Sequence, residues 1–207
     1  MQANEIEALF TRADGDFLCA RWGRPIVPVV FGVDDTTLST VKGAIEAVVA
    51  LAGHKMAETD PELGVNLMVF FFRDWRELLE LPDLDRLIDG LEPLVAKLQA
   101  AGANQYRVFR FDAANAIKAA FVFIRMDDTL AEAPADTLAL SQAVQVILLW
   151  SDRAFTDRSA LAKAGNTVIL RPEIGALIRA VYDPVLPAVA TDPSHALRLS
   201  ARMGGLQ

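Results

Sequence analysis

Apolar and polar positions along this chain alternate between two rhythms. Residues 17–22 and 26–33 are apolar runs short enough for strands, and Gly23 separates them. Pro28 has no N–H for a sheet ladder, so the second of these strands is expected at a free edge or a bulge. Asp34, Asp35, Thr36 and Thr37 supply cap candidates for a helix. In it Leu38, Val41, Ile45, Val48 and Ala52 fall on one face, and Gly53-His54 ends it. Residues 65–72 are apolar almost throughout, which predicts a strand covered on both faces. Residues 83–101 carry a helical spacing of leucines, in which Pro93 either kinks the helix or follows a new start after Gly90. Residues 106–111 and 119–126 are further strands, and residues 127–134 form a loop.

Asp136 can cap a helix over residues 137–152, which is apolar nearly all round from Val144 to Trp150. A polar excursion to Asn166 leads to a short apolar run at 167–170. A helix then starts at Pro172, buries Ile174, Leu177, Ile178 and Val181, and stops at Pro184. From Ala188 the pattern weakens, apart from a short helix at 195–203. A short helix at 4–10 precedes everything. The order predicts one α+β domain over residues 1–207, with its core at about 17–190 and a weakly structured tail at about 188–207.

Composition narrows the function classes. An apolar fraction of 53% and a mean hydropathy of +0.28 exclude a disordered chain. A net charge of −7, with Lys and Arg scattered, argues against nucleic acid as a partner. No apolar run approaches the length of a membrane span, and Met1–Glu7 lacks the basic start of a signal peptide. The expectation is a cytoplasmic protein, or an exported one if a leader has been removed. Cys19, the single cysteine, excludes an internal disulfide and any multi-cysteine metal site, and its apolar neighbours predict a buried thiol. The two histidines, His54 and His195, fall in loop or tail positions. No glycine-rich phosphate loop is present, so no cofactor is expected.

The polar residues of the 137–152 run are its main chemical signal. A zincin helix carries His-Glu-x-x-His, whose histidines bind zinc from one face while the glutamate activates water; the longer form continues x-x-Gly-x-x-His. Laid over this run, the three ligand positions become Ser141, Gln145 and Ser151, the glutamate becomes Gln142 and the glycine becomes Leu148. None of these side chains is a good zinc ligand, so no metal is expected. Two flanks add to the pattern. Upstream stands Ala20-Arg21-Trp22-x-x-Pro25-Ile26, and downstream a helix that ends in Tyr182-Asp183-Pro184.

Together these stretches resemble a family of uncharacterised bacterial zincin-like proteins in which the His-Glu-x-x-His helix has degenerated. The resemblance covers roughly residues 17–190. It implies a mixed sheet packed against a long helix, a central degenerate active-site helix and a helical C-terminus. It departs from the family pattern where Ser141 and Gln142 replace two acids, Leu148 a glycine and Ser151 an asparagine. What it implies for function is a catalytically inactive pseudo-peptidase acting as a binding or assembly module, for a protein or peptide partner or for a second copy of itself. The candidate cleft comprises Ser141, Gln142, Gln145, Ser151 and Asp152, with Tyr182 and Asp183 against the central helix. The glutamines either line that cleft or satisfy neighbouring backbone, and Tyr182-Asp183 either lines it or stops its helix. Two other classes stay open. One is an enzyme using Arg125, Asp127 and Asp128 on an unrelated α/β fold; separately, Asp34-Asp35 and Asp127-Asp128, each after an apparent strand, either converge on a hard cation such as Mg²⁺ or Ca²⁺ or serve as turns and helix caps. The other is a structural homo-oligomeric subunit. An aromatic surface is also open at Phe70–Phe72 and Trp75, of which Trp75 is the residue expected to be exposed.

Overall fold

The computed structural model describes residues 1–205. In chain order the first elements are α1 (Ala3–Phe10), β1 (Cys19–Ala20), β2 (Pro28–Phe31), α2 (Asp35–Leu51) and β3 (Leu67–Phe72). A 3-10 helix at Trp75–Glu80 leads to α3 (Leu84–Leu87), α4 (Leu91–Ala100), β4 (Gln105–Phe111) and β5 (Ile117–Arg125). Then come α5 (Asp128–Ala131), α6 (Ala135–Ile147), β6 (Leu161–Ala164), β7 (Thr167–Leu170), α7 (Pro172–Val181), β8 (Val189–Ala190) and α8 (His195–Gly204).

The apolar run at 65–72 becomes the middle of a mixed sheet ordered β2-β3-β5-β4. β2, β3 and β5 run parallel, and β4 folds back antiparallel on β5 as an edge. Pro28 lies on the other edge strand, where its missing N–H costs the ladder nothing. Alternate residues point to opposite faces. Leu67, Val69 and Phe71 of β3, with Ala120, Val122 and Ile124 of β5, pack into a core that includes residues of α1, α2, α6, α7 and α8. Phe70, Phe72, Phe121 and Phe123 face the other way, toward Trp75, Leu78, Leu84, Leu91 and Val95. The chain is thus an α+β protein whose sheet is covered on both sides. Among the described residues, no helix is long and apolar enough to cross a membrane.

Helix ends follow local chemistry. Asp34 accepts from the Thr37 N–H at 2.7 Å and starts α2. At its other end Gly53, with φ +66°, lets His54 N–H reach Val49 C=O and Gly53 N–H reach Ala50 C=O, the paired bonds of a Schellman stop. Pro93 sits in the first turn of α4, where no intrahelical donor is required, so the sequence at 83–101 is two helices and not one kinked one.

Several expectations are corrected. The central helix ends at Ile147, not at 152, and Leu148 is already extended at φ −136°, ψ 159°. The tail is not weakly structured over residues 188–205, and residues 206–207 lie outside the described residues. β8 pairs antiparallel with β1, and α8 buries His195, Ala196, Leu199 and Met203 beside α1 and α7. Its apolar stripe is carried by only a few residues on a charged helix, which is why the tail looks weak by composition. The core therefore extends past residue 190, and it begins before 17, with Ile6 and Phe10 fully buried. The polar excursion also holds structure, since β6 and β7 form a hairpin. Trp75 is buried, and its indole N–H donates to Ala103 C=O at 2.7 Å.

Both histidines sit inside this framework. His54 donates through Nε2 to Arg24 C=O at 2.9 Å, and its ring leans on Tyr182. Burial, assisted by the charge of Arg21, holds it below the ordinary histidine range despite that bond. Burial, with Arg198 nearby, does the same to His195 at the start of α8. Each binds a proton less readily folded than unfolded. Their contribution is therefore complete above the unfolded value near 6.5 and is lost as pH falls through the lower folded values. The melting temperature is expected to begin to drop as pH falls below about 6.5, before the carboxylates titrate. The double variant His54→Gln/His195→Gln should flatten that slope in a calorimetric pH series; an unchanged slope would show that neither histidine is its source.

Candidate functional site

The exit of α6 is where the three sequence stretches meet. A helix leaves its last four carbonyls without intrahelical partners. Here three of them accept from aromatic side chains that lie outside the helix. Trp150 Nε1 donates to Val144 C=O, Trp22 Nε1 to Val146 C=O and the Tyr182 hydroxyl to Ile147 C=O, each at 2.8 Å. Tyr182 also accepts from the Trp22 N–H at 3.4 Å, which joins the upstream and downstream flanks directly. The chain then pairs Arg21 with Leu148 in an antiparallel bridge, and Leu149 N–H donates to Ala20 C=O. Because the helix ends by this side-chain capping, no left-handed residue is needed. Leu148 accordingly stands in extended backbone.

The polar face of α6 behaves differently from position to position. Ser141 and Gln145 lie one turn apart, and the two side chains bond each other: Gln145 Nε2 donates to Ser141 Oγ at 3.1 Å. Gln142 is buried against β4. Its Oε1 accepts from Arg107 Nη2 at 2.6 Å, and its Nε2 donates to Gln105 Oε1 at 2.8 Å. Arg107 Nη2 also reaches Gln105 Oε1 at 3.0 Å, which closes a triangle of two amides and one guanidinium. Arg107 keeps some exposure, yet its Nε is sealed from solvent without a partner. Burial alone lowers its guanidinium to about 10.

The remaining candidates are dispersed. Ser151 is off the helix and ties α1, with its N–H donating to Leu9 C=O at 2.9 Å and its hydroxyl to Ala8 C=O. Asp152 is exposed and accepts from Ala13 N–H at 3.0 Å. Asp183 accepts from Val185 N–H and pairs with Arg202 at 2.9 Å, so it stops α7 and anchors α8. Burial raises the Tyr182 phenol well above its usual range, in keeping with its role as a buried donor.

Two clefts take the other candidates, and Ser141 and Gln142 line neither of them. One, of about 580 Å³, lies between the exit of α6, β4 and the segment at 150–155; Gln145, Ser151 and Asp152 line it together with Arg107. The other, of about 660 Å³, lies between the end of α2, the end of α7 and α8, and takes Tyr182 and Asp183. Sequence reasoning missed Gln105, Arg107, Trp150 and Phe155, all of which line the first cleft. The alternating pattern of β4 was the only signal for the first two. It places Gln105, Arg107 and Phe109 on one face, but as a mixture that marks neither core nor surface.

The other chemistries have local explanations. Asp127 caps α5 by accepting from Leu130 N–H at 2.9 Å and takes further bonds from Asn104 and Arg125. Those donors, the Leu130 N–H first, hold its carboxyl below the usual range, and Asp128 is exposed. Cys19 is buried, and burial pushes its thiol up to about 12, so it is no nucleophile at neutral pH. Among the described residues, no three His, Cys, Asp or Glu side chains are grouped to hold a metal ion. Compared with protein-family models, with curated proteins and with solved structures, the chain matches none.

Proposed function

We propose that this chain is a zincin-like scaffold that has exchanged metal chemistry for binding, with the ligand held in the cleft at the exit of α6. The observation that carries the reading is the fate of the two glutamines. Gln142, at the position of the zincin base, is clamped by Arg107 and Gln105 and is closed to a substrate. Gln145, at a ligand position, opens on the cleft and is held by Ser141. A mixed sheet packed against a long helix and a central helix supports the ancestry, as does the meeting of the Arg-Trp and Tyr-Asp-Pro stretches at the end of that helix.

The test is elemental analysis and a peptidase assay on purified protein. Less than a tenth of an equivalent of zinc (~0.1) and no cleavage of a mixed peptide pool are expected, because amide and hydroxyl side chains are poor zinc ligands. A full equivalent of bound zinc would overturn the reading. Single substitutions are expected to leave it inactive. Restoring activity requires at least Ser141→His, Gln142→Glu and Gln145→His together, since metal and base act as a unit. Even then Gln142→Glu sets a carboxylate against Arg107, and the ion pair would weaken it as a base.

A further inference from the structure

Arg107 is a cation set into the wall of the α6 cleft with no anion beside it. Its Nη2 faces two amide oxygens, its Nε has no partner, and none of the ion pairs among the described residues includes it. A partly desolvated guanidinium facing only amide dipoles is costly, and a carboxylate in the cleft supplies the countercharge it lacks, at the part of the guanidinium that lines the cleft and not at the sealed Nε. The carboxylates that share the cleft do not fill that role. Asp14 accepts from Asp16 N–H and Asp152 from Ala13 N–H, both on the exposed rim.

The same cleft is lined by aromatic side chains. Trp150 is fixed by its bond to Val144 C=O, stacks on Phe10 at 5.3 Å and meets Phe155 edge-on at 4.9 Å. Phe155 is held at φ +65°, a conformation that a bulky residue rarely adopts and that the surroundings must enforce. Arg12 adds a second cation to the lining.

We infer that the cleft beside α6 takes a ligand whose free carboxylate sits next to an aromatic or large apolar group, with the carboxylate on Arg107 and the ring against Trp150 and Phe155. The inference rests on reading this cleft as the binding site, and it names the ligand chemistry. A peptide C-terminus ending in an aromatic residue and a small arylalkanoic acid share that chemistry.

The experiment is calorimetric titration of the full chain with N-acetylphenylalanine, its amide, 3-phenylpropionate and acetate, and with Ala-Ala-Phe as free acid and as amide. The acids are expected to bind at least about tenfold more tightly than the matching amides, the scale of one charge-assisted contact. Acetate, with the charge but no ring, should bind more weakly than either aromatic acid. Arg107→Gln should abolish the acid–amide difference, with a melting curve to show that the variant is folded. Phe155→Ala, outside the buried triangle, should weaken the aromatic acids and leave acetate unchanged. Tighter binding of the tripeptide acid than of N-acetylphenylalanine assigns the ligand to a peptide terminus, and the reverse order assigns it to a small acid. Equal binding of acids and amides overturns the carboxylate inference while the cleft stands as a binding site. No binding of any probe at about 10 mM, a threshold weaker than ordinary ligand affinities, overturns it as well. The scaffold reading answers separately to the zinc analysis.

Discussion

Replacing Trp22 with alanine is expected to cost about 3–5 kcal/mol of stability, the range for removing a buried tryptophan. The side chain is 1% exposed with its indole N–H bonded to α6, while its backbone bridges Ile117 at the start of β5. The loss also leaves Val146 C=O without its donor, which adds about 1 kcal/mol or more when water cannot reach it. Trp22→Phe separates the two contributions, since it keeps most of the volume and removes the indole N–H. Tyr182→Phe isolates the other half of the junction. It removes the donor to Ile147 C=O and the acceptor for the Trp22 N–H, at an expected cost of about 1–3 kcal/mol. Urea unfolding of the two single variants and the double variant should give a coupling of about 0.5–3 kcal/mol, as for residues in one hydrogen-bond network. Independent effects, or a Trp22→Ala loss below about 1 kcal/mol, would mean that α6 is not held at its end by these side chains.

That junction also shows what the sequence could convey. Its three parts were each visible as a motif, but nothing in their spacing says that two aromatic side chains distant in sequence close one helix. The apolar stretch from Val144 to Trp150 suits a buried helix and a buried extended segment equally. Donors from Trp22 and Tyr182 decide between them at Ile147, so the predicted helix ran five residues too far, to 152 and not 147. Elements ruled by local chemistry were legible. The Asp34 cap, the Gly53 stop, the edge position of Pro28 and the two-sided burial of β3 all follow from residues within a few positions of each other.

The candidate site was legible in part for the same reason. Gln142 and Gln145 stand out as polar points on an apolar helix, and a one-turn spacing fixes Ser141 beside Gln145. Whether a buried glutamine is bonded to backbone or to a cation depends on what the neighbouring strand presents. Arg107 comes from β4, 35 residues away from Gln142, in a strand whose two faces both mix polar and apolar residues. Ser151 lines the cleft from beyond the helix, because the backbone is already extended at Leu148.

Gly32→Ala is expected to be among the most damaging single-methyl additions in the chain, with a loss above about 3 kcal/mol. Gly32 follows β2, at φ +80°, where the chain turns toward the cap of α2. A Cβ there would stand 2.0 Å from the backbone oxygen of Phe71, an atom of the central strand that cannot swing aside. Two effects therefore add: a left-handed backbone that alanine resists, and a steric clash that pushes β2 from β3. Two further glycines separate them. Gly15 has φ +95° and open space around it, so Gly15→Ala registers the backbone effect alone, at about 1–3 kcal/mol. Gly43 is exposed in the middle of α2 with nothing near a new Cβ, so Gly43→Ala should stabilise by about 0.5–1 kcal/mol through helix propensity. Thermal unfolding of the three variants should rank them Gly43→Ala, Gly15→Ala, Gly32→Ala from most to least stable. If Gly32→Ala loses no more than Gly15→Ala, the end of β2 yields at little cost, and the contact with Phe71 does not fix the path from the sheet into α2. A loss well beyond it places this crossing among the constraints that hold α2, and with it α6, against the sheet.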